Sequence, residues 1–201
     1  MNYYTEDFWQ AEMLNPSLYN TVIDNIDNEQ CVIGGGLKTS WKLHMMGLKD
    51  VNMLINFIDA CLPHAAMHVS GGATTDDYGA SIFDERGFRI VETWGIHYNK
   101  GEYVTNHNHF PFAMSFNYCV TAPKGSSPFI LEGEEIEPVP GRTIFFHAHK
   151  NHCTLPNESD GRCMIVGNIV YDPQIILPQS LYQSGSAVSY THLTLPTILR
   201  V

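Results

Sequence analysis

The chain has 201 residues, 44% of them hydrophobic and 16% charged, with a formal net charge of −10. That is the make-up of one globular domain with its own core, not of a disordered chain. So acidic a surface repels phosphate backbones and argues against nucleic acid as a partner.

No apolar run reaches the roughly eighteen residues of a membrane-spanning helix, so no membrane association is expected. The N-terminus, MNYYTEDFWQ, lacks the basic start and apolar stretch of a secretion signal. Five cysteines, none in C-x-x-C spacing, make neither a disulfide framework nor a thiolate zinc site. They are expected to be buried free thiols in a reducing cytoplasm.

Residues 1–48 read as an irregular N-terminal arm. Asn15-Pro16, the run Asp24–Asn28 and the triplet Gly34-Gly35-Gly36 all break regular structure. The glycine triplet has no G-K-S/T after it, so it reads as a flexible turn, not a phosphate loop. From Lys49 to Cys61 the sequence predicts a helix, with Val51, Leu54, Ile55, Ile58 and Leu62 on one face and Pro63 ending it.

Beyond Gly71-Gly72 the segments are short, β-branched or aromatic, and separated by turn residues. Strands are predicted over Phe88–Tyr98, Ala113–Thr121, Pro128–Glu132, Arg142–His147 and Arg162–Tyr171. Trp94, Phe145 and Phe146 are expected in the core. The pattern is mainly β, and a double-sheet jelly roll over 49–187, with a supporting N-terminal helix on one face, fits best. Residues 188–201, VSYTHLTLPTILRV, resemble a translated sequencing adapter and are expected to be a non-native tail, so His192 is not counted among the candidate metal ligands.

Six of the ten histidines fall between residues 97 and 152. In His107-Asn108-His109 the two imidazoles stand two residues apart, on one side of an extended chain, and can reach a single ion. A neighbouring strand could return His152 to them. Three such ligands leave coordination positions open, as dioxygen chemistry at non-haem iron(II) requires. His147 and His149 form a rival local cluster with His152; they are read as loop residues at the mouth of the site. Arg162 follows His152 after the turn-forming stretch Thr154–Gly161. If that stretch closes a hairpin, the guanidinium returns beside His152, where it can grip a carboxylate in bidentate fashion. The alternative is a rim arginine paired with Glu158 or Asp160.

The run from Trp94 to Tyr171 resembles the 2-oxoglutarate/Fe(II) oxygenases encoded by tailed bacteriophages, especially those of marine cyanobacteria. The stretches that carry it are WGIHYNKGEYVTNHNHFPFAMSFNYCVTAPKGSSPF, EPVPGRTIFFHAHKNHCTLP and GRCMIVGNIVY. The resemblance implies a double-stranded β-helix that couples oxidative decarboxylation of 2-oxoglutarate to hydroxylation of a second substrate. It implies Fe(II) on His107, His109 and His152, and 2-oxoglutarate on Arg162. Tyr98 and Tyr118 are further candidates to contact 2-oxoglutarate; which face of the Ser115–Tyr118 segment lines the cavity stays open. The substrate would be a small molecule or a peptidyl side chain, with O2 as co-substrate, in the cytoplasm of the host cell if phage-encoded.

Two positions depart from the pattern. The superfamily usually has H-x-D/E where this chain has His109. Either the ion sits on three histidines, or another group completes the site, or His109 lies outside the ligand set as in the halide-binding members. The second departure is His147-Ala148, where relatives resemble a Phe-Pro-Ser start. Two further readings stand beside the oxygenase: a cupin-like three-histidine metalloprotein that does not use 2-oxoglutarate, and a non-catalytic phage β-sandwich domain.

Overall fold

Thirteen regular segments and one short 3-10 turn, within residues 3–69 and 87–172, make up what the computed structural model describes. In chain order they are β1 (Tyr3–Asp7), α1 (Ala11–Asp24), β2 (Ile26–Cys31), β3 (Leu37–Thr39), the turn at Leu43–Met45 and α2 (Lys49–Val69). Then come β4 (Phe88–Tyr98), β5 (Val104–His107), β6 (Met114–Thr121), β7 (Phe129–Leu131), β8 (Glu134–Ile136), β9 (Arg142–His147), β10 (His152–Thr154) and β11 (Arg162–Tyr171). The suspected tail at 188–201 lies outside the described residues.

The strands form a seven-stranded sheet, β1-β9-β6-β11-β4-β3-β2, and a four-stranded sheet, β5-β10-β7-β8. Every strand pairing in them is antiparallel. From β4 to β11 the chain changes sheet at each step except the β7–β8 hairpin. This is the winding of a double-stranded β-helix, as expected. Of the short minor-sheet strands, β7 lies inside the predicted Pro128–Glu132, whereas β5, β8 and β10 were not predicted because they lack its apolar run.

The larger sheet is covered on both faces. α1 and α2 pack on its outer face in one core with Leu18, Val22, Leu54, Ile58, Phe116, Phe145 and Ile165. Its inner face turns toward the smaller sheet and carries Trp94, Ile96, Tyr98 and Met164. Seven of the eight β6 residues are buried accordingly.

The N-terminal segment is a correction. Residues 1–48 are not an irregular arm: they supply β1, α1, β2 and β3. β1 extends the large sheet alongside β9, and β2–β3 extend its other edge past β4. The signal for α1 was thin, because Pro16 lies inside it and its buried positions number four. What holds it is tertiary: Leu14, Leu18 and Val22 pack on the sheet, and the Asn15 amide donates to the Val120 carbonyl at 2.9 Å. α2 likewise does not stop at Pro63. It continues to Val69 because Ala65, Ala66 and Val69 prolong the apolar stripe. Their burial offsets the roughly 3 kcal/mol cost of an interior proline.

The glycine triplet does form a turn, through Ile33 and Gly34, and that turn is anchored to a neighbouring segment. Gly34 has φ 118°, and a Cβ there would collide with the Tyr103 carbonyl oxygen. The Tyr103 amide donates to the Gly34 carbonyl at 3.1 Å, and the Thr105 amide to the Ile33 carbonyl at 3.1 Å. Glycine lets two backbones meet, and the β2–β3 hairpin is stitched across the end of the sandwich.

Candidate metal centre and cavity

His107 ends β5 and His152 opens β10, and the two are register partners in the smaller sheet. The distant histidine is thus returned by an antiparallel strand, with ring centroids 4.3 Å apart. His109 lies just past β5, held by its amide donating to the Ala148 carbonyl at 2.7 Å. Its ring stacks on His152 at 5.0 Å and approaches His107 at 5.0 Å. One nitrogen from each of the three lies within 4.8 Å of the others.

The tautomers suit a metal. Nδ1 of His107 lies 2.8 Å from the Thr105 carbonyl, and Nδ1 of His152 lies 3.1 Å from the Lys150 carbonyl. A carbonyl only accepts, so Nδ1 carries the proton in both rings and Nε2 keeps its lone pair. Burial holds His152 down to about 3 and His109 down to about 4, with neighbouring His107 adding to both. These two rings are therefore neutral at physiological pH, the form that binds metals.

His147 and His149 do not join them. Their rings touch each other at 5.0 Å, and His147 ends β9 opposite Met114, a residue of the helix-side core. The triad is the one such cluster of His, Cys, Asp or Glu among the described residues.

Arg162 reaches the same cavity by a route the sequence did not suggest. The Thr154–Gly161 stretch closes no hairpin: β10 pairs with β5 and β7, whereas β11 pairs with β4 and β6. Arg162 therefore faces the triad's cavity from the opposite sheet. It is fully buried, and its Nε, Nη1 and Nη2 all lack a hydrogen-bond partner. It is not a rim arginine paired with Glu158 or Asp160. Burial pulls its pKa down, against the opposing pull of Tyr98 and Cys119. An isolated buried guanidinium costs several kcal/mol. A residue kept at that cost fits a carboxylate of a ligand.

Tyr98 sits opposite Arg162 in the β4–β11 register and also lines the cavity, its ring centroid 5.4 Å from the guanidinium carbon. Burial raises its phenol to about 12, so it is a neutral hydroxyl. Tyr118 is a correction. Its hydroxyl donates to Asn15 Oδ1 at 2.6 Å, and its ring belongs to the helix-side core. By strand alternation it is Asn117 that lines the cavity, with its Oδ1 buried and unpartnered. Tyr118 ties α1 to β6 and takes no part in the site.

The cavity measures about 410 Å³, toward the small end of the roughly 300–1,000 Å³ usual for ligand sites. Trp94 lies in its wall, as do Phe129 and Phe146 of the core. Among the described residues its lining includes Lys38 and Arg162 but no aspartate or glutamate. Lys38, Trp41, Cys31 and Ile33 of that lining come from the segment read as irregular, where no pattern marked them. Cys31 is exposed and Cys153 half-buried, so only Cys61, Cys119 and Cys163 are the buried thiols expected.

Comparison with known proteins finds no matching family model and no matching curated protein. Solved structures do match. The viral collagen prolyl hydroxylase of Paramecium bursaria Chlorella virus-1, in complex with 2-oxoglutarate, superposes with TM-score 0.62 at 16% identity, over 84% of this chain and 96% of that one. A prolyl-4-hydroxylase of Pseudomonas putida gives 0.60 at 13%, over 85% and 92%. EctD from S. alaskensis, with bound Fe, gives 0.59 at 13%, over 85% and 73%. At such identities the likeness is one of fold.

Proposed function

We propose that the chain is an Fe(II)/2-oxoglutarate-dependent dioxygenase that hydroxylates a second substrate. One observation carries the reading: an unpaired, fully buried Arg162 opens into the same cavity as a triad of His107, His109 and His152. The fold, shared with a hydroxylase bound to 2-oxoglutarate and with an iron-bound enzyme, supports it. The virus-encoded member among those neighbours accords with a phage origin.

In this reading the three imidazoles would hold iron(II), with the Thr105 and Lys150 carbonyls fixing the His107 and His152 rings so that each offers Nε2. Arg162 takes the distal carboxylate of 2-oxoglutarate, and Tyr98 flanks it with a neutral hydroxyl. Bound together, metal and 2-oxoglutarate supply oxidative decarboxylation to succinate, using O2. The chain's own part is to orient, to exclude water with an aromatic wall and to offset negative charge. The test is turnover without added substrate: protein with iron(II) should release succinate from 2-oxoglutarate. His152→Ala and Arg162→Met should not. Failure of the wild-type chain to bind 2-oxoglutarate in the presence of iron(II) would refute it.

One observation favours a second reading. His109 stands where a carboxylate is usual, and three neutral ligands suit a cupin-like metalloenzyme without 2-oxoglutarate. That enzyme would keep its metal chemistry when Arg162 is replaced; the oxygenase would lose its co-substrate.

A further inference from the structure

The cavity holds a second cation besides Arg162. Lys38, on β3, is 8% exposed and lines the cavity. Its Nζ lies 3.5 Å from the centroid of the Trp41 ring. Trp41 packs on Trp94 at 4.3 Å, and Trp94 on His109 at 5.8 Å. A continuous wall of two indoles thus runs from the ammonium to the triad.

Lys38 is distinct from the Arg162 anchor. In the sheet register it lies in line with Ile96, Met164 and Cys119, whereas Arg162 lies in line with Tyr98, one pleat along. Strand spacing and rise place the two Cα atoms about 12 Å apart. If Arg162 takes the distal carboxylate and the metal the proximal one, both charges of 2-oxoglutarate are matched and Lys38 still faces the cavity. The acidic groups near it are Asp27, its partner in the β2–β3 register, Glu92 and the Cys31 thiol. Burial lowers the Lys38 pKa, so an anion docking there would recover part of that cost. A protein of net charge −10 keeps two cations in this one lining, with no carboxylate among its described residues.

We propose that Lys38 selects the primary substrate, a small molecule whose carboxylate docks on the ammonium while its apolar body lies on Trp41 and Trp94 beside the triad. That this molecule is the substrate rests on the oxygenase reading; that it binds does not. The volume of about 410 Å³ suits two small molecules.

The probe pair is 3-phenylpropionate and its neutral amide, titrated calorimetrically under nitrogen into the full chain, with and without iron(II) and 2-oxoglutarate. The acid should bind at least tenfold more tightly than the amide. Lys38→Met should bring the acid to the level of the amide, and Lys38→Arg should restore the preference. Arg162→Met should abolish 2-oxoglutarate binding and leave the preference intact. No acid binding, no preference in the wild type, or a preference that survives Lys38→Met, would overturn the proposal. So would a preference lost in Arg162→Met alone, which would place the acid on the 2-oxoglutarate anchor. If Lys38→Met fails to fold, Lys38→Gln takes its place, and the wild-type acid-to-amide ratio stands as a test without either variant. Failure of the oxygenase reading would look different: no 2-oxoglutarate binding, with the acid-to-amide ratio unchanged.

Discussion

Arg162 bears a burial cost that a bound carboxylate would offset, and this gives it opposite effects on stability and on binding. Replacing a buried, unpaired cation with an apolar side chain of similar length is often stabilising, by about 1–4 kcal/mol. Arg162→Met should therefore raise the melting temperature of the ligand-free protein while weakening 2-oxoglutarate at least a hundredfold. Calorimetry of both properties on one variant checks the pair. Tyr118 should behave the other way. Tyr118→Phe removes the hydroxyl donated to Asn15, costing about 1–2 kcal/mol of stability and leaving 2-oxoglutarate affinity unchanged. At His109 the charge of the ligand set is the issue. His109→Asp supplies an anion that partly cancels the metal charge, so iron(II) affinity should rise. His152→Ala should abolish it, as measured by metal content after anaerobic loading. The triad was legible because two of its members stand at i, i+2, and strand pairing then needed only one more strand. Arg162 was legible as a residue but not as a geometry, because turn formers imply a hairpin whether the chain stays in one sheet or crosses to the other. Lys38 and Trp41 were not legible at all, since a three-residue strand shows no period.

Among the elements, the β2–β3 hairpin shows how much of the site comes from outside the jelly-roll core. It brings Cys31, Val32, Ile33 and Lys38 to the cavity, with Trp41 just beyond it. It is held to the Tyr103–Thr105 backbone by the hydrogen bonds across Gly34 and Ile33. Gly34→Val should lift it: the side chain has no room, and φ 118° is strained for any residue with a Cβ. We expect a loss of about 1–3 kcal/mol and faster proteolysis confined to the hairpin, read by limited digestion. The strands β4, β9 and β11 could be read with their boundaries intact, because each is a β-branched or aromatic run closed by turn residues. α1 escaped because Asn15-Pro16 looks like a break; the asparagine is instead a buried tie to Val120 and Tyr118.

For the whole molecule, the buried histidines link stability to pH. His152 and His109 are held at about 3 and about 4, below the ordinary value of 6.5, with burial the main cause. Below about 6.5 the unfolded chain takes up protons that the folded chain refuses, so folding weakens as pH falls toward 4. The ligand-free protein should lose on the order of a few kcal/mol across that window, seen as a falling denaturant midpoint between pH 7 and pH 4. Surface acidity shaped the other expectations at this scale, and the cavity departs from it: its described lining carries Lys38 and Arg162 in a chain of net charge −10.

The triad belongs to the smaller sheet and Arg162 to the larger. Whatever is held by both therefore acts as a tie-bolt through the sandwich. Metal and 2-oxoglutarate together should slow amide hydrogen exchange in β5 and β10 far more than either does alone, because neither alone spans the gap. Occupancy of the site would then be readable as rigidity in strands only three or four residues long.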